Sequence, residues 1–157
     1  GSEDGAVRLW SLSPWECAAT LLGHSAAVQG LAAPAQGRVV SCSEDKALRV
    51  WDTESGQCLR TLQGHSRSVT GVAALGPELV ASGGKDRLVK VWNISDGQDA
   101  GTLRGHKDIV LCVAPLGDEH GRLLSGSNDR TVKVWSVERA ECEATLEGHK
   151  HAVCGLA

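Results

Sequence analysis

The stretch GHSRSVTGVAALGPELVASGGKDRLVKVWN, residues 64–93, decides the fold. Three apolar stretches follow its opening Gly-His, at residues 69–75, 79–82 and 88–92. The last of these alternates between apolar and polar residues, which is the pattern of a half-buried β-strand. Gly76-Pro77 and the polar run that ends at Asp86 separate the stretches, and both are typical of turns. Since a fourth stretch ends at Leu103, the unit predicts four short strands.

The same unit recurs along the chain. Three markers share one spacing of 41, 41 and 43 residues: Gly-His at 23–24, 64–65, 105–106 and 148–149; Asp4, Asp45, Asp86 and Asp129; and Trp10, Trp51, Trp92 and Trp135. The third repeat is two residues longer, and the extra length falls in the loop 117–121, where an insertion leaves the strands unchanged. A constant period near forty residues predicts a repeat architecture.

The period divides the chain into complete and partial repeats. The predicted boundaries are 1–22 for a part-repeat, 23–63, 64–104 and 105–147 for three complete repeats, and 148–157 for the first strand of a further one. A four-stranded unit of this size cannot bury its faces alone, so the units are expected to stack radially. Three repeats are too few for an ordinary ring. We therefore expect an incomplete ring that needs the rest of a longer propeller, or a second copy, to close it.

These residues resemble the WD-repeat family. The resemblance rests on Gly-His, a Ser-x-x-x-Asp turn and an alternating strand that ends in Trp-Asp, and it covers essentially the whole chain. The Trp-Asp pair itself is present only as Trp51-Asp52; Ser or Asn follows the other three tryptophans. Asn and Ser accept local backbone hydrogen bonds as Asp does. The resemblance implies an all-β fold, a β-propeller of four-stranded antiparallel blades, and the docking of other proteins on its surface.

Every complete repeat contains His, Ser and Asp, the residue types of a hydrolase triad. The sets are His24, Ser41 and Asp45; His65, Ser82 and Asp86; and His106, Ser125 and Asp129. An active site is needed once, however, and not three times. The resemblance implies instead a hydrogen-bonded chain from Trp through Ser and His to Asp, which adds Trp51, Trp92 and Trp135 to the sets. Ser43 and Ser127 are alternative serines, but the second repeat has Gly84 at that position.

Composition and charge exclude several function classes. The net charge of −3 provides no basic field for nucleic acid, and no apolar stretch approaches the length of a membrane span. The run Gly83-Gly84-Lys85 lacks the other residues of a phosphate loop, so no cofactor is expected. The six cysteines form no C-x-x-C pair, which predicts no metal site and a reducing compartment, cytoplasm or nucleus. His120 and His151 lie outside the repeated positions and are interpreted as solvated.

The resemblance also implies where partners dock. In a propeller the loops at one end converge on the central channel, and here these are the Gly-His loops and the turns before the aspartates. The implied docking residues are Gln29, Thr70 and Leu111 on the inner ring, Glu44, Lys85 and Asn128 beside it, and Arg67 and Asp108 on the rim. Trp15 stands apart, in a turn where the other repeats have Gly or Ala, and either anchors a partner or covers neighbouring strands.

We therefore expect a scaffold or adaptor that docks proteins or peptides and catalyses no reaction. An alternative is the non-catalytic, substrate-targeting part of a larger enzyme such as a ubiquitin ligase or a kinase. The repeats carry no residue that separates these two hypotheses.

Overall fold

The computed structural model describes residues 1–35, 37–117 and 121–157, and its regular structure is entirely β. Asp118, Glu119 and His120 lie outside the described residues, so the predicted insertion loop and the interpretation of His120 stay predictions. The described strands are β1 (Val7–Leu12), β2 (Trp15–Leu21), β3 (Val28–Ala35), β4 (Arg38–Ser43), β5 (Ala47–Asp52), β6 (Cys58–Gln63), β7 (Val69–Ala74), β8 (Leu79–Gly84), β9 (Val89–Asn93), β10 (Asp99–Leu103), β11 (Val110–Pro115), β12 (Arg122–Ser127), β13 (Val132–Ser136) and β14 (Glu141–Leu146).

The strands form three four-stranded sheets and one two-stranded sheet, all antiparallel. The order within each is sequential: β1-β2, β3-β4-β5-β6, β7-β8-β9-β10 and β11-β12-β13-β14. Each four-stranded sheet lies within one complete repeat, 23–63, 64–104 or 105–147. The all-β fold of four-stranded antiparallel blades is therefore confirmed. The described strands do not close into a ring, as expected for part of a propeller.

Neighbouring blades pack face to face with their first strands innermost. Strand β3 contacts β7, and β7 contacts β11. A separate apolar cluster fills each interface between sheets: one joins the β1-β2 hairpin to the first complete blade, and two join the successive blades. Since each cluster combines side chains from two sheets, a blade buries its faces only against its neighbours.

The tryptophan of each complete blade lies in such an interface. Trp51, Trp92 and Trp135 are each 1% exposed. The glycine of the Gly-His pair lies against the same ring, because a Cβ on Gly64 would be 3.0 Å from the Trp92 ring. A larger residue would push the loop off the indole. The Gly-His and Trp markers are therefore two sides of one contact.

Both ends of the array are open. Trp10, which is equivalent to Trp51, is 63% exposed, and among the described strands β1 pairs with β2 alone. Residues 148–157, predicted as the first strand of a further repeat, have no strand pairing in the structure. The amide of Val153 still donates to the Ser127 carbonyl at 3.0 Å. A strand needs a ladder of such bonds, and no described second strand provides it here.

Candidate functional site

The Gly-His loops and the aspartate turns lie at one end of the blades. Each loop precedes the first strand of its blade, and each turn joins the second strand to the third. Backbone hydrogen bonds connect the two: Glu44 N to Ala27 O at 3.0 Å, Lys85 N to Ser68 O at 2.8 Å, and Asn128 N to Ile109 O at 2.9 Å. We call this end of the array the loop end.

A chain of side-chain hydrogen bonds runs beneath the loop end of each blade. In the second complete blade Trp92 Nε1 lies 2.8 Å from Ser82 Oγ, which lies 2.8 Å from His65 Nε2. His65 Nδ1 lies 2.8 Å from Asp86 Oδ2. An indole nitrogen only donates, so the serine oxygen accepts from Trp92. A carboxylate only accepts, so His65 Nδ1 donates to Asp86.

The other two complete blades repeat this arrangement. Trp51, Ser41, His24 and Asp45 are joined by distances of 2.8, 2.7 and 2.7 Å, and Trp135, Ser125, His106 and Asp129 by 2.7, 2.7 and 2.8 Å. The alternative serines bond elsewhere. Ser43 donates to Ala26 O at 3.1 Å, and Ser127 to Asp108 O at 3.2 Å. These two serines stabilise the turn and do not enter the chain.

The aspartates also attach the loops to the turns through the backbone. The amides of Ser25, Ser66 and Lys107, each one residue after a chain histidine, donate to the same carboxylate oxygens at 3.1, 3.0 and 2.9 Å. Burial alone would raise the pKa of Asp45, but the bonds from His24 and from backbone amides more than offset it and lower that pKa. Burial likewise acts to raise the pKa of Asp86 and of Asp129, but hydrogen bonds more than offset it and lower both, chiefly the bond from His65 to Asp86 and the bond from the Thr131 hydroxyl to Asp129.

The histidines of the first and third complete blades are held neutral. Burial lowers the pKa of His24 and of His106, although each donates to an aspartate that acts in the opposite direction. A neutral imidazole has one donor and one acceptor nitrogen, which is what the chain from serine to aspartate requires.

The geometry of the chain resembles a catalytic triad, but its access does not. Ser41, Ser82 and Ser125 are 0% exposed, and each oxygen already accepts a bond from a tryptophan that is itself 1% exposed. A nucleophilic oxygen must reach a substrate carbonyl. These oxygens are sealed inside the blades, so the geometry fits them to holding the loops in place.

The predicted docking residues lie at or near the loop end with different exposure. Gln29, Glu44, Arg67, Lys85 and Asn128 are exposed, while Thr70, Asp108 and Leu111 are half-buried. Two pairs form among them. Lys85 Nζ lies 3.6 Å from Glu44 Oε1 of the neighbouring blade, and Asn128 Nδ2 donates to Asp108 Oδ2 at 2.5 Å.

Thr70 is used by the fold. Its hydroxyl lies 2.9 Å from Gly83 O and also bonds to Val110 O of the next blade. A change at Thr70 would disturb the contact between blades as well as any docking. Gln29 and Leu111 occupy the equivalent positions of the neighbouring blades and are the cleaner probes of the inner ring.

Sequence reasoning missed three cations at the tips of the aspartate turns. Lys46, Arg87 and Arg130 each follow an aspartate and have positive φ angles of 75°, 70° and 70°. A signal was present, because the first part-repeat has Gly5 at this position, with φ of 79°. A glycine aligned with three other residues indicates a left-handed backbone at all four positions.

Other predicted features involve no such arrangement. Within the described ranges, no group of three or more His, Cys, Asp or Glu side chains has the geometry to hold a metal ion. A helix of the length and apolarity needed to cross a membrane is likewise not found among the described residues. Trp15 is 83% exposed and does not cover neighbouring strands.

Comparison with known proteins agrees with this architecture. The family model described as WD domain, G-beta repeat matches residues 15–52, 56–93 and 97–136, which together make up more than half of the chain. Each match starts near the outer strand of one blade and ends near the third strand of the next, so its phase differs from that of the sheets. No curated protein matches the chain significantly. The chain belongs to the WD-repeat family.

Proposed function

We propose that this chain is a non-catalytic scaffold that docks partner proteins or peptides on the loop end of its blades. WD repeats generally mediate protein–protein interactions. The observation that carries the proposal is a division of side chains at this end. The Trp, Ser, His and Asp side chains are tied up inside the blades, while exposed residues of both charges stand above them.

The inner ring supplies the apolar part of the proposed surface. Leu111 is half-buried on β11, and the exposed polar residue Asn128 and the half-buried Asp108 belong to the same blade. Binding energy in interfaces is concentrated in a few partly desolvated residues with polar groups around them, and truncating one costs more than about 1 kcal/mol. Leu111 is therefore the residue whose change should weaken docking most. The proposal includes the cytoplasmic or nuclear location expected from the cysteines.

The open ends belong to the same proposal. The 63% exposure of Trp10 and the unpaired edge of β1 support cover by the rest of a longer propeller or by a second copy. A completed ring would place more loops around the same end.

The test is capture of partners from cell extract on the immobilised chain, followed by titration of each partner against variants. Leu111→Asp and Lys85→Glu should weaken binding, and Gln29→Arg serves where Leu111→Asp lowers the melting temperature. Glu78→Arg is the control, because Glu78 is exposed in a turn at the opposite end. Loss of binding in the Glu78 variant alone would show that partners use the other end.

A further inference from the structure

The tips of the aspartate turns carry cations where glycine would fit best. Lys46, Arg87 and Arg130 are in the left-handed region, with φ between 70° and 75°. Side chains other than Gly, Asn and Asp are disfavoured there, because the Cβ approaches the following carbonyl. Gly5 shows that the same turn forms in this chain with glycine. Three consecutive repeats thus hold a long basic residue in a conformation that strains it.

The fold makes no use of these three side chains. Their amides close the turns by donating to Ser43 O, Gly84 O and Ser127 O, as the glycine amide does at Gly5. The charged groups are exposed and form no ion pair or hydrogen bond with the part of the chain that the structure describes. Some other cations are paired, for example Lys85 with Glu44 and Lys90 with Asp99, while Arg67 and Arg104 are exposed and unpaired among the described residues. Strain without an internal benefit points to a role outside the molecule.

A groove of about 600 Å³ lies beside Arg130. Its charged or titratable lining consists of Lys107, Lys133, Arg130, His149, Asp129 and Glu147. Asp129 is already occupied, since it accepts bonds from His106, Thr131 and the Lys107 amide. The three cations Lys107, Lys133 and Arg130 still outnumber the two carboxylates of Asp129 and Glu147, so the groove favours an anionic group.

The opposite end of the blades is more acidic. Its exposed turn residues include Glu54, Glu78, Asp96 and Glu138 as well as the cation Arg139. A ligand with negative charge is therefore attracted to the loop end and repelled from the other. The net charge of −3 disfavours a long polyanion such as nucleic acid, which would also meet the acidic turns.

We propose that Lys46, Arg87 and Arg130 form a basic ridge, one cation from each of three consecutive blades, that binds an extended acidic peptide through its carboxylates. This inference rests on the proposed docking function and specifies the chemistry of the partner. The ridge differs from the docking residues expected from the sequence, which precede the aspartates or line the inner ring. A peptide that crosses the blades meets one cation in each repeat.

The experiment replaces all three cations by glycine in the full chain. The probe is a fluorescein-labelled peptide that alternates Glu and Ser, and its binding is measured by anisotropy at low and high salt. The triple variant K46G/R87G/R130G should bind about tenfold more weakly, since each exposed ion pair contributes about twofold. Its melting temperature should be equal to or above that of the unchanged chain, because glycine relieves the left-handed strain.

Ala140→Gly is the matched control. Ala140 is the remaining non-glycine residue with positive φ among those the structure describes, at 53°, and it lies in a turn at the opposite end. Its change relieves the same kind of strain without removing a charge, so peptide affinity should stay the same. Replacing Glu by Gln in the peptide should abolish binding, and high salt should weaken binding of the Glu peptide.

Several results would overturn the ridge. These are equal affinity of the triple variant and the unchanged chain, equal binding of the Gln peptide, or binding of a phosphoserine peptide or single-stranded DNA when the Glu peptide does not bind. Captured partners that depend on Leu111 but not on the three cations would refute the ridge and leave the docking function intact. Partners that depend on neither would refute both.

Discussion

Two buried serines of one blade allow the hydrogen-bond chain to be tested by a matched pair of changes. Ser125 and Ser127 lie two residues apart on β12 and are both 0% exposed. Ser125 accepts from Trp135 Nε1 and donates to His106 Nε2, both at 2.7 Å. Ser127 accepts from the Asp129 amide at 3.0 Å and donates to Asp108 O at 3.2 Å. Changing either to alanine removes the same atom from the same strand.

The expected costs differ because the orphaned groups differ. Ser125→Ala leaves an indole and an imidazole nitrogen buried without partners, and each costs about 1–3 kcal/mol, for a total of about 2–6 kcal/mol. Ser127→Ala leaves two backbone groups beside the exposed turn, where water replaces the hydroxyl, for about 1 kcal/mol. The difference follows from which atoms lose a partner.

Urea unfolding followed by tryptophan fluorescence, at one fixed protein concentration, measures both costs. With a slope of about 2 kcal/mol per molar urea, Ser125→Ala should lower the midpoint by about 1–3 M and Ser127→Ala by about 0.5 M. Equal shifts would refute the chain as the stabilising element. An unchanged midpoint in Ser125→Ala, together with loss of ester hydrolysis, would instead restore the catalytic interpretation.

Three further predictions concern pH, thiol reactivity and association. Burial lowers the pKa of His24 and His106, so the unfolded chain takes up protons first and the free energy of unfolding should fall as pH drops below 6.5. The lowered pKa values of Asp45, Asp86 and Asp129 should cause a second loss of stability below pH 3.8. A urea midpoint that is constant from neutral pH down to about 5 contradicts the first loss. Burial raises the pKa of Cys42 to about 12, so iodoacetamide should label the exposed Cys17, Cys58 and Cys142 long before Cys42. Peptide mass spectrometry measures the labelling, and equal rates in the folded chain would be inconsistent with this burial. Because Trp10 and Trp15 are exposed beside the open edge of β1, the chain should associate, and the double variant Trp10→Lys/Trp15→Lys should associate less. Light scattering measures this, and a compact monomer of the unchanged chain would disprove it.

The repeat pattern predicted the fold because its markers describe local contacts. Gly64 and Trp92 are marked in the sequence by a constant spacing, and in the structure they touch. Comparison between repeats also favoured Ser82 as the serine of the hydrogen-bond chain. The second repeat has Gly84 where the other two have Ser43 and Ser127, and glycine has no side chain to donate or accept a bond. In the structure the hydrogen bonds run through Ser82. Such contacts lie within one repeat and its turns, where spacing alone is informative.

Contacts between blades could not be predicted in this way. The bond from Thr70 to Val110 O and the pair of Lys85 with Glu44 depend on how closely adjacent sheets approach, which no spacing in the sequence states. The part-repeat at 148–157 lacks a strand for a similar reason, since a strand depends on its neighbour. The left-handed backbone at the tips of the aspartate turns was predictable from Gly5. That prediction requires treating the one glycine, rather than the three cations, as the residue that indicates the backbone conformation.

The turn tips separate what the fold requires from what it permits. The fold requires the aspartate at 45, 86 and 129, because that carboxylate anchors both the histidine and the loop amide. The residue before it is free to vary, and it is Glu44, Lys85 and Asn128 in the three blades. The left-handed backbone favours glycine at the residue after the aspartate, yet this residue is a cation in all three blades. A position that folding alone would give to glycine, and that instead keeps one sign of charge across three blades, is best explained by a ligand that spans them.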